Sequence, residues 1–393
     1  MKDEKKAPKL RFKGFTDDWE QVKYGEIFQR RSKMCVSTSA LPSVEYDDIN
    51  PGMGTLNKEP KSKGTSKRGI HFNPGDVLFG KLRPYLKNWL FACFEGVAVG
   101  DFWVLTSSKI DHGFTYSLIQ APEFQYIANL SSGSKMPRSD WGLVSNARTF
   151  IPTNLSEQKS ISSVLFGLDT AITLHEEKKQ QLKCLKSALL QKMFANKNKS
   201  GDPDVRFKGF DERWERHILN DLAIFNPKGT LPTSFEYVDL GSVIGVEMIS
   251  HKTISKFDAP SRAQRLAQVG DLFYQTVRPY QQNNYLFDNK DNAYVFSTGY
   301  AQLRPLIDGY FLLCLVQTKS FVRKVMNACT GTSYPAINSQ DLAQIGVNIP
   351  INSKEQRLIG NLYKVIDNLI TLYQQKLDDL NTIKQSLLQK MFI

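Results

Sequence analysis

The sequence predicts an α+β protein made of two globular modules of like fold, each followed by a long helix, with the two helices packed as an antiparallel coiled coil. Three observations predict it: a duplicated segment, matched ends around unmatched middles, and helical periodicity at the end of each copy. The chain has 393 residues, enough for two to three domains of about 150 residues. Hydrophobic residues at 41% and charged residues at 23% are typical of folded globular proteins and argue against disorder.

The duplication begins with Arg-Phe-Lys-Gly-Phe at residues 11–15, which recurs at residues 206–210, an offset of 195. Two further motifs return at the same offset: Gly75-Asp76 as Gly270-Asp271, and Arg83-Pro84-Tyr85 as Arg278-Pro279-Tyr280. A repeat held in register over such a distance predicts two copies of one structural unit, related by a pseudo-twofold.

The copies match at their ends and diverge in the middle. Residues 156–194 and 354–392 share 16 identities in 39 aligned positions, whereas residues 86–132 and 281–330 share almost none. We therefore expect two modules of one shape with different surfaces. If these surfaces recognise something, their targets should differ, because one palindromic target would need only a dimer of a single copy.

The matched tails have the pattern of long helices. Each follows an Asn-x-x-Glu start, Asn154 with Glu157 and Asn352 with Glu355, in which the amide caps an N–H and the carboxylate faces the positive helix end. Apolar residues then recur at alternating steps of four and three, which predicts a seam between the two helices. The seam comprises Ile161, Leu165, Leu168, Ile172, Leu182 and Leu189 in the first helix, and Ile359, Tyr363, Ile366, Ile370, Tyr373, Leu377, Leu380 and Leu387 in the second. The alternative is that each stripe docks only on its own module.

The predicted organisation has six parts. They are a flexible N-terminal tail (1–10), a first module (11–153), a spacer helix (154–194), a polar linker (195–205), a second module (206–351) and a second spacer helix (352–393). We call residues 11–153 module 1 and residues 206–351 module 2.

Charge and composition indicate the kind of partner. The formal net charge is +12, which favours a polyanionic partner. No apolar run approaches the length of a membrane span, and the N-terminus has no apolar stretch behind its charges, so we expect a cytoplasmic protein without membrane contact. The five cysteines lack C-x-x-C spacing, which favours reduced packing residues over disulfides or zinc ligands.

Catalytic motifs are sparse in this sequence. It has no G-x-x-x-x-G-K-[ST] phosphate loop, no H-E-x-x-H helix and no [DN]-P-P-[YF] methyltransferase tetrapeptide. The nearest approach to a metal-dependent nuclease is Asp48 with Glu59 and Lys61, since two carboxylates beside a lysine can hold Mg²⁺. This nuclease is one alternative, and a coiled-coil scaffold for protein partners without a role on DNA is another.

Binding chemistry is more visible, in three places. A cationic loop precedes residue 69, the repeated Arg-Pro-Tyr motif is surrounded by Lys in one copy and by Gln and Asn in the other, and a Gly-x-x-x-Pro turn recurs at 133–137 and 331–335. Lys and Arg suit phosphates or guanine, whereas Gln and Asn suit adenine edges. The candidate DNA-binding residues are Lys61, Lys63, Lys67, Arg68, Lys81, Arg83, Lys87, Lys135, Arg138, Gln275, Arg278, Gln281, Gln282, Asn283 and Tyr334. Solvated turns and strand-edge hydrogen bonding are the structural alternatives.

Taken together, these motifs resemble a known family. Five motifs follow one another in a fixed order that is present twice: Gly-[ST]-x-x-Pro, Asp341-Leu342, Ile349-Pro350, Glu355-Gln356 and a long helix ending in Leu-Leu-Gln-Lys-Met-Phe. This order resembles that of the specificity subunit of type I restriction-modification enzymes. Copy one departs from it at residues 140–143, where Asp-Trp-Gly-Leu replaces Asp-Leu.

The resemblance implies two target-recognition domains that each read half of a split double-stranded DNA site, and helices that act as spacer and as docking surface. It implies modification subunits that methylate adenine with S-adenosylmethionine and restriction subunits that use ATP and Mg. No cofactor or metal is then expected in this chain.

Overall fold

A computed structural model describes residues 7–59, 66–130, 135–194, 202–290, 293–331 and 333–393. The chain divides into two compact units, Met1–Lys178 with Tyr373–Ile393, and Lys179–Leu372. Each unit therefore combines one module with a part of each long helix. In the described residues, no helix is both long and apolar enough to cross a membrane.

Module 1 contains two four-stranded sheets. The first is antiparallel, in the order Gln29–Arg30, Phe102–Thr106, Val77–Gly80 and Trp89–Phe91. The second has the order Met34–Val36, Arg68–Phe72, Gly96–Ala98 and Ser43–Val44, with only the last pair parallel. The other pairings are Glu20–Lys23 with Arg148–Ile151, and Ile49–Asn50 with Thr55–Leu56. The helices are Tyr24–Ile27, His112–Gln120, Pro122–Ala128 and Trp141–Asn146, with 3₁₀ turns at Tyr46–Asp48 and Pro84–Leu86.

Module 2 repeats the first sheet in the same order, as Ala223–Phe225, Tyr300–Pro305, Leu272–Gln275 and Tyr285–Leu286. Its second sheet has the order Lys252–Ser255, Ser234–Val238, Tyr294–Ser297 and Ala263–Leu266. The other pairings are Glu215–Ile218 with Gly346–Ile349, and Val243–Ile244 with Glu247–Met248. The helices are Leu219–Leu222, Gly309–Gln317, Lys319–Ala328 and Ser339–Ala343, with a 3₁₀ turn at Pro279–Gln281.

The second sheets differ in the position of one edge strand. In each module a central strand, Gly96–Ala98 or Tyr294–Ser297, has a parallel neighbour on one side and an antiparallel neighbour on the other. Module 1 adds Met34–Val36 beside the antiparallel neighbour, whereas module 2 adds Lys252–Ser255 beside the parallel one. The two modules therefore complete their second sheets differently, with edge strands that lie before the divergent ranges 86–132 and 281–330.

The repeated Gly-Asp motif is a structural turn. Gly75 and Gly270 have φ values of +88° and +93°, which glycine adopts without strain. The aspartates that follow are 1% exposed, and each binds an arginine: Asp76 binds Arg31, and Asp271 binds Arg304. The arginine comes from a different strand region in each module, so the repeat preserves the buried acid but not the position of its partner.

The long helices are Leu155–Phe194 and Ser353–Met391. As predicted, Asn154 and Asn352 cap them, with the side-chain oxygens accepting from the N–H groups of Ser156 and Lys354. The glutamates that follow are held by arginines of the first repeat motif. Arg11 binds both oxygens of Glu157 at 2.6 and 2.9 Å, and Arg206 binds those of Glu355 at 2.8 and 2.7 Å.

The two helices run antiparallel within each unit. In the first unit Asp169 binds Lys384 at 2.5 Å, and His175 contacts the Tyr373 ring. In the second unit Lys186 binds Asp367 at 2.5 Å, and Phe194 contacts Tyr363.

These contacts are reciprocal, because Asp169 and Asp367 occupy equivalent repeat positions, as do Lys186 and Lys384. All the predicted seam positions are buried or half-buried.

The end of each long helix packs into the core of the module that belongs to the other copy. Leu388, Met391 and Phe392 join the module 1 core, where Phe392 stacks on Phe114. Met193 and Phe194 join the module 2 core, where Phe194 contacts Phe311. The duplicated Leu-Leu-Gln-Lys-Met-Phe ending is therefore a docking segment.

Candidate nucleic-acid interface

The Arg-Pro-Tyr motif and the Gly-x-x-x-Pro motif begin 50 residues apart in copy one and 53 residues apart in copy two, and they meet in both modules. In module 1 the Arg83 N–H donates to the Pro137 carbonyl at 2.8 Å, and in module 2 the Arg278 N–H donates to the Pro335 carbonyl at 2.7 Å. A bridge between residues 82 and 138, and one between 277 and 336, continue the pairing. We call each joined pair of turns a turn surface.

Backbone strain is concentrated at these turn surfaces. In the described part of the chain, five non-glycine residues have positive φ, and four of them flank the two 3₁₀ turns: Arg83, Lys87, Arg278 and Gln282. Such conformations cost about 1–3 kcal/mol each and often mark functional sites. The same strained backbone is thus retained in both modules while the side chains on it differ.

On the module 2 turn surface an arginine is stacked on an aromatic ring. The Arg278 guanidinium lies 4.3 Å from the centroid of Tyr334. Tyr334 is 66% exposed and Tyr280 is 49% exposed. An arginine held in this way keeps its donors available and loses less side-chain freedom on binding.

The amides predicted to contact DNA in module 2 mainly stabilise the turn. Gln275 is 2% exposed, and its amide donates to the Val277 carbonyl and to Gln281. Gln282 donates to the Gln317 carbonyl, and the Asn283 oxygen accepts from the Gly245 N–H. The structure therefore gives Gln275 an internal role in place of a DNA contact, because its donors are satisfied within the protein. Gln281 is exposed, although its carbonyl oxygen is engaged by Gln275.

On the module 1 turn surface the predicted cations are only partly engaged. Arg83, Lys87 and Lys135 are exposed. Lys81 and Arg138 share the Asp101 carboxylate, at 3.5 and 3.1 Å. Five of the predicted cations and one shared acid thus lie around a single turn surface, which leaves a net positive charge there.

The cationic loop of module 1 is only partly described. Lys61 and Lys63 lie outside the described residues. Lys67 binds Glu45 at 2.7 Å, and Arg68 is exposed at the start of strand Arg68–Phe72. Their contact with DNA stays a prediction.

The predicted nuclease residues are not assembled as a metal site in the part of the chain that is described. The Asp48 carboxylate binds Lys58 at 3.0 Å and accepts from the Glu45 N–H. Among the described residues, no group of three or more His, Cys, Asp or Glu side chains could hold a metal ion.

A pocket of about 390 Å³ beside the module 1 turn surface was missed by the sequence analysis. We call it the module 1 pocket. It is lined by Tyr46, Asp47, Ile49, Pro51, Leu82, Arg83, Leu86, Asn88 and Met136. These residues come from three separate stretches of sequence, so only the repeated position of Arg83 could have pointed to the pocket.

The chain thus has two modules of like fold, each with its own turn surface, and the side chains on the two surfaces differ. This arrangement defines a protein of two binding modules. A sequence model of the type I restriction modification DNA specificity domain matches residues 212–382. The specificity subunit of the type I restriction enzyme MjaVIII, from Methanocaldococcus jannaschii, is 22% identical over 425 residues, which cover 95% of this chain and 91% of that protein. Residues 212–382 thus carry the sequence pattern of the type I restriction modification DNA specificity domain, and nearly the whole chain is similar in sequence to a type I specificity subunit.

Solved structures share the fold. The crystal structure of a type I restriction-modification S subunit from M. genitalium has a TM-score of 0.66 at 14% identity and covers 98% of this chain and 99% of its own. A chain from a study of complex assembly and conformational transition of a type I restriction-modification system has a TM-score of 0.52 at 17% identity, covering 95% and 97%. The two-module architecture with long helices is therefore common to these proteins.

Proposed function

We propose that this chain is the sequence-specific DNA-recognition subunit of a type I restriction-modification complex, and that each module reads one half of an asymmetric, bipartite site. One observation carries the proposal. Both modules retain the same strained turn surface, joined by the same Arg N–H to Pro carbonyl bond, but present different side chains on it. This arrangement suits two similar readers with two different targets.

Charge and chemistry support DNA as the ligand. The net charge of +12 attracts phosphates, and exposed Arg and Lys on the turn surfaces can contact phosphates or guanine edges. Exposed tyrosines beside Arg278 add area for apolar contact with bases or sugars.

The chain acts, in this proposal, with partner subunits that supply the chemistry. Modification subunits methylate adenine with S-adenosylmethionine, and restriction subunits use ATP and Mg to translocate and cleave DNA. The chain itself is non-catalytic, carries no cofactor and works in the cytoplasm. The spacer helices hold the half-sites apart and dock the modification subunits.

Binding to DNA of the mapped recognition site, at several salt concentrations, tests the proposal. The association constant should fall steeply with salt, because phosphate contacts release counterions. Arg278→Ala should weaken specific binding by about 1–3 kcal/mol and relax the sequence preference in one half only.

Arg213→Ala is the matched control, since it removes an exposed cation of module 2 that lies outside the turn surface. The proposal fails if binding is independent of salt, or if Arg213→Ala relaxes the preference as much as Arg278→Ala. Salt-independent binding of the protein partners alone would support the scaffold instead.

A further inference from the structure

We propose that the module 1 pocket is a nucleobase site in which Asn88 reads an adenine of the DNA target. This inference rests on the proposed function and adds to it a specific residue, a specific base and a difference between the modules.

The walls of the pocket are suited to a flat, mostly apolar ring. Ile49, Pro51, Leu82, Leu86 and Met136 surround it together with the Tyr46 ring. The volume of about 390 Å³ exceeds that of one ordered water many times over. Leu86 and Met136 are 43% and 45% exposed, so these two apolar side chains lie at the open side, where a base would enter.

The Tyr46 wall is rigid. Its hydroxyl donates to the Asp101 carbonyl at 2.6 Å and accepts from the Leu82 N–H, and its ring lies 4.6 Å from that of Phe102. Burial raises the pKa of the Tyr46 phenol to about 12, so it stays neutral under cellular conditions. A fixed, neutral aromatic wall favours an uncharged ring as the occupant.

Asn88 supplies a polar group to this pocket. It is 9% exposed, and within the described part of the chain its side-chain amide makes no hydrogen bond. The amide atoms of Asn88 are not among the fully enclosed, unpaired polar atoms of the described residues, so a ligand in the pocket could bond to them without displacing a protein partner. An asparagine amide pairs with the N6 donor and N7 acceptor of adenine at the same time.

The charges at the rim disfavour a phosphate as the occupant. Asp47 and Arg83 both line the pocket, so a bound phosphate would lie near a carboxylate as well as a guanidinium. A neutral base has no such conflict, and its exocyclic groups can bond to either side chain.

In module 2 the residues at the equivalent repeat positions bond within the protein. Gly80 of module 1 corresponds to Gln275, Leu86 to Gln281 and Asn88 to Asn283 in the repeat register. A Cβ on Gly80 would lie 2.5 Å from the Tyr46 ring, so Gly80 makes room for that wall. In module 2 the Gln275 side chain bonds to Gln281, and Asn283 bonds to Gly245.

The test uses the full chain bound to its modification subunits, on DNA of the mapped site. Each adenine in turn is replaced by 7-deazaadenine, which lacks only the N7 acceptor. In the wild-type complex one position should lose affinity by about tenfold. That loss should disappear in Asn88→Leu, which has no amide to pair, and in Met136→Trp, which blocks the open side of the pocket.

Asn146→Leu is the matched control, because Asn146 is exposed on helix Trp141–Asn146 of the same module. It should retain the full loss at that position. Thermal unfolding of each variant shows whether it is folded, and Met136→Trp replaces Asn88→Leu as the deciding variant if the latter is not.

Each outcome decides the question. A loss that depends on Asn88 supports the inference, and 2-aminopurine at the same position then shows whether the base is extrahelical, by brightening, or read while paired, by staying quenched. The inference is overturned if no adenine shows the loss, or if Asn88→Leu and Met136→Trp keep it; sequence-specific binding in that same experiment would leave the proposed function standing. Absence of any sequence preference would instead end the proposed function.

Discussion

Modules 1 and 2 share one frame and differ in the space behind the Arg-Pro-Tyr turn. The frame includes equivalent buried ion pairs, Arg11 with Glu157 and Arg206 with Glu355, and equivalent backbone bonds between the turns. Behind the turn, module 1 has Gly80 under the Tyr46 ring, whereas module 2 has Gln275 bonded to Gln281. The turn can therefore keep its backbone while its supporting side chains are exchanged, because backbone hydrogen bonds hold it in place.

The largest loss of stability should come from removing one of the two equivalent arginine–glutamate ion pairs. Glu355 is buried and binds Arg206 through both oxygens. Glu355→Ala leaves the arginine without its partner, and we expect a loss of about 4 kcal/mol in the free energy of unfolding of the second unit. Hydrogen exchange of each module provides the measurement. An equal loss of protection in module 1 would contradict the assignment of this pair to the module 2 frame.

The next largest loss of stability should come from removing the end of a long helix from the core of the other copy's module. Phe392 stacks on Phe114 in the module 1 core, although it lies at the end of the second copy. Phe392→Ala should therefore destabilise module 1 by about 3 kcal/mol, seen as faster exchange in helix His112–Gln120. Phe194→Ala should likewise destabilise module 2, seen as faster hydrogen exchange in helix Gly309–Gln317. The account is wrong if each variant affects only the module of its own copy.

A smaller effect should come from the seam ion pairs, with a dependence on pH. Burial raises the pKa of Asp169, and Lys384 opposes this. Lys384→Met removes the cation that lowers the pKa of Asp169. The pKa of Asp169 in the folded state therefore rises further above its value in the unfolded state, and ionising this carboxyl in the folded state costs more free energy. We expect a loss of about 2 kcal/mol at pH 7.

The difference in unfolding free energy between Lys384→Met and wild type should widen as the pH rises above the unfolded-state pKa of aspartate, about 3.9, because ionising the carboxyl in the folded state costs more in the variant. Urea denaturation at each pH measures it. A gap that stays constant with pH would show that Lys384 contributes packing alone. Lys186→Met removes the cation of the equivalent pair with Asp367, and urea denaturation at pH 7 measures what that pair contributes.

The smallest effect should distinguish the two turns. Gly80→Ala places a Cβ against Tyr46 and against the Asn88 carbonyl oxygen, which would lie 2.7 Å away. We expect about 1.5 kcal/mol of destabilisation, with a shift in the Tyr46 ring seen by NMR. Gln275→Ala in module 2 should instead release Gln281 without crowding. If Gly80→Ala leaves Tyr46 unmoved, the proposed reason for glycine at this position is wrong.

The sequence predicted the two modules, the long helices and their seam, because duplication and periodicity are visible along the chain. It predicted less where partners come from distant or non-equivalent positions. The repeated motifs gave no indication that Asp76 binds Arg31 or that Asp271 binds Arg304. The Asn-x-x-Glu motif indicated a helix start but gave no sign that Arg11 and Arg206 bind its glutamate.

The DNA-binding residues of the candidate interface stay a prediction, and the structure shows which of them are exposed. The repeated motifs coincide with the strained turns of both modules, because such turns restrict which residues are tolerated. The Gln and Asn residues near Arg278 suggested adenine readers, yet Gln275 is buried and bonded within the turn. Amides suit DNA and protein backbone equally, and only the fold shows which one they meet. The module 1 pocket was invisible because Tyr46, Asn88 and Met136 are distant in sequence.

The proposed function requires that the two modules read DNA independently of each other. Long-read mapping of methylated adenines tests it most directly, comparing the wild-type complex with one in which residues 21–150 are exchanged for the corresponding segment of a subunit with another target. The account predicts that one half of the bipartite site changes while the other half and the spacing stay the same. A change in both halves, or in neither, would contradict it.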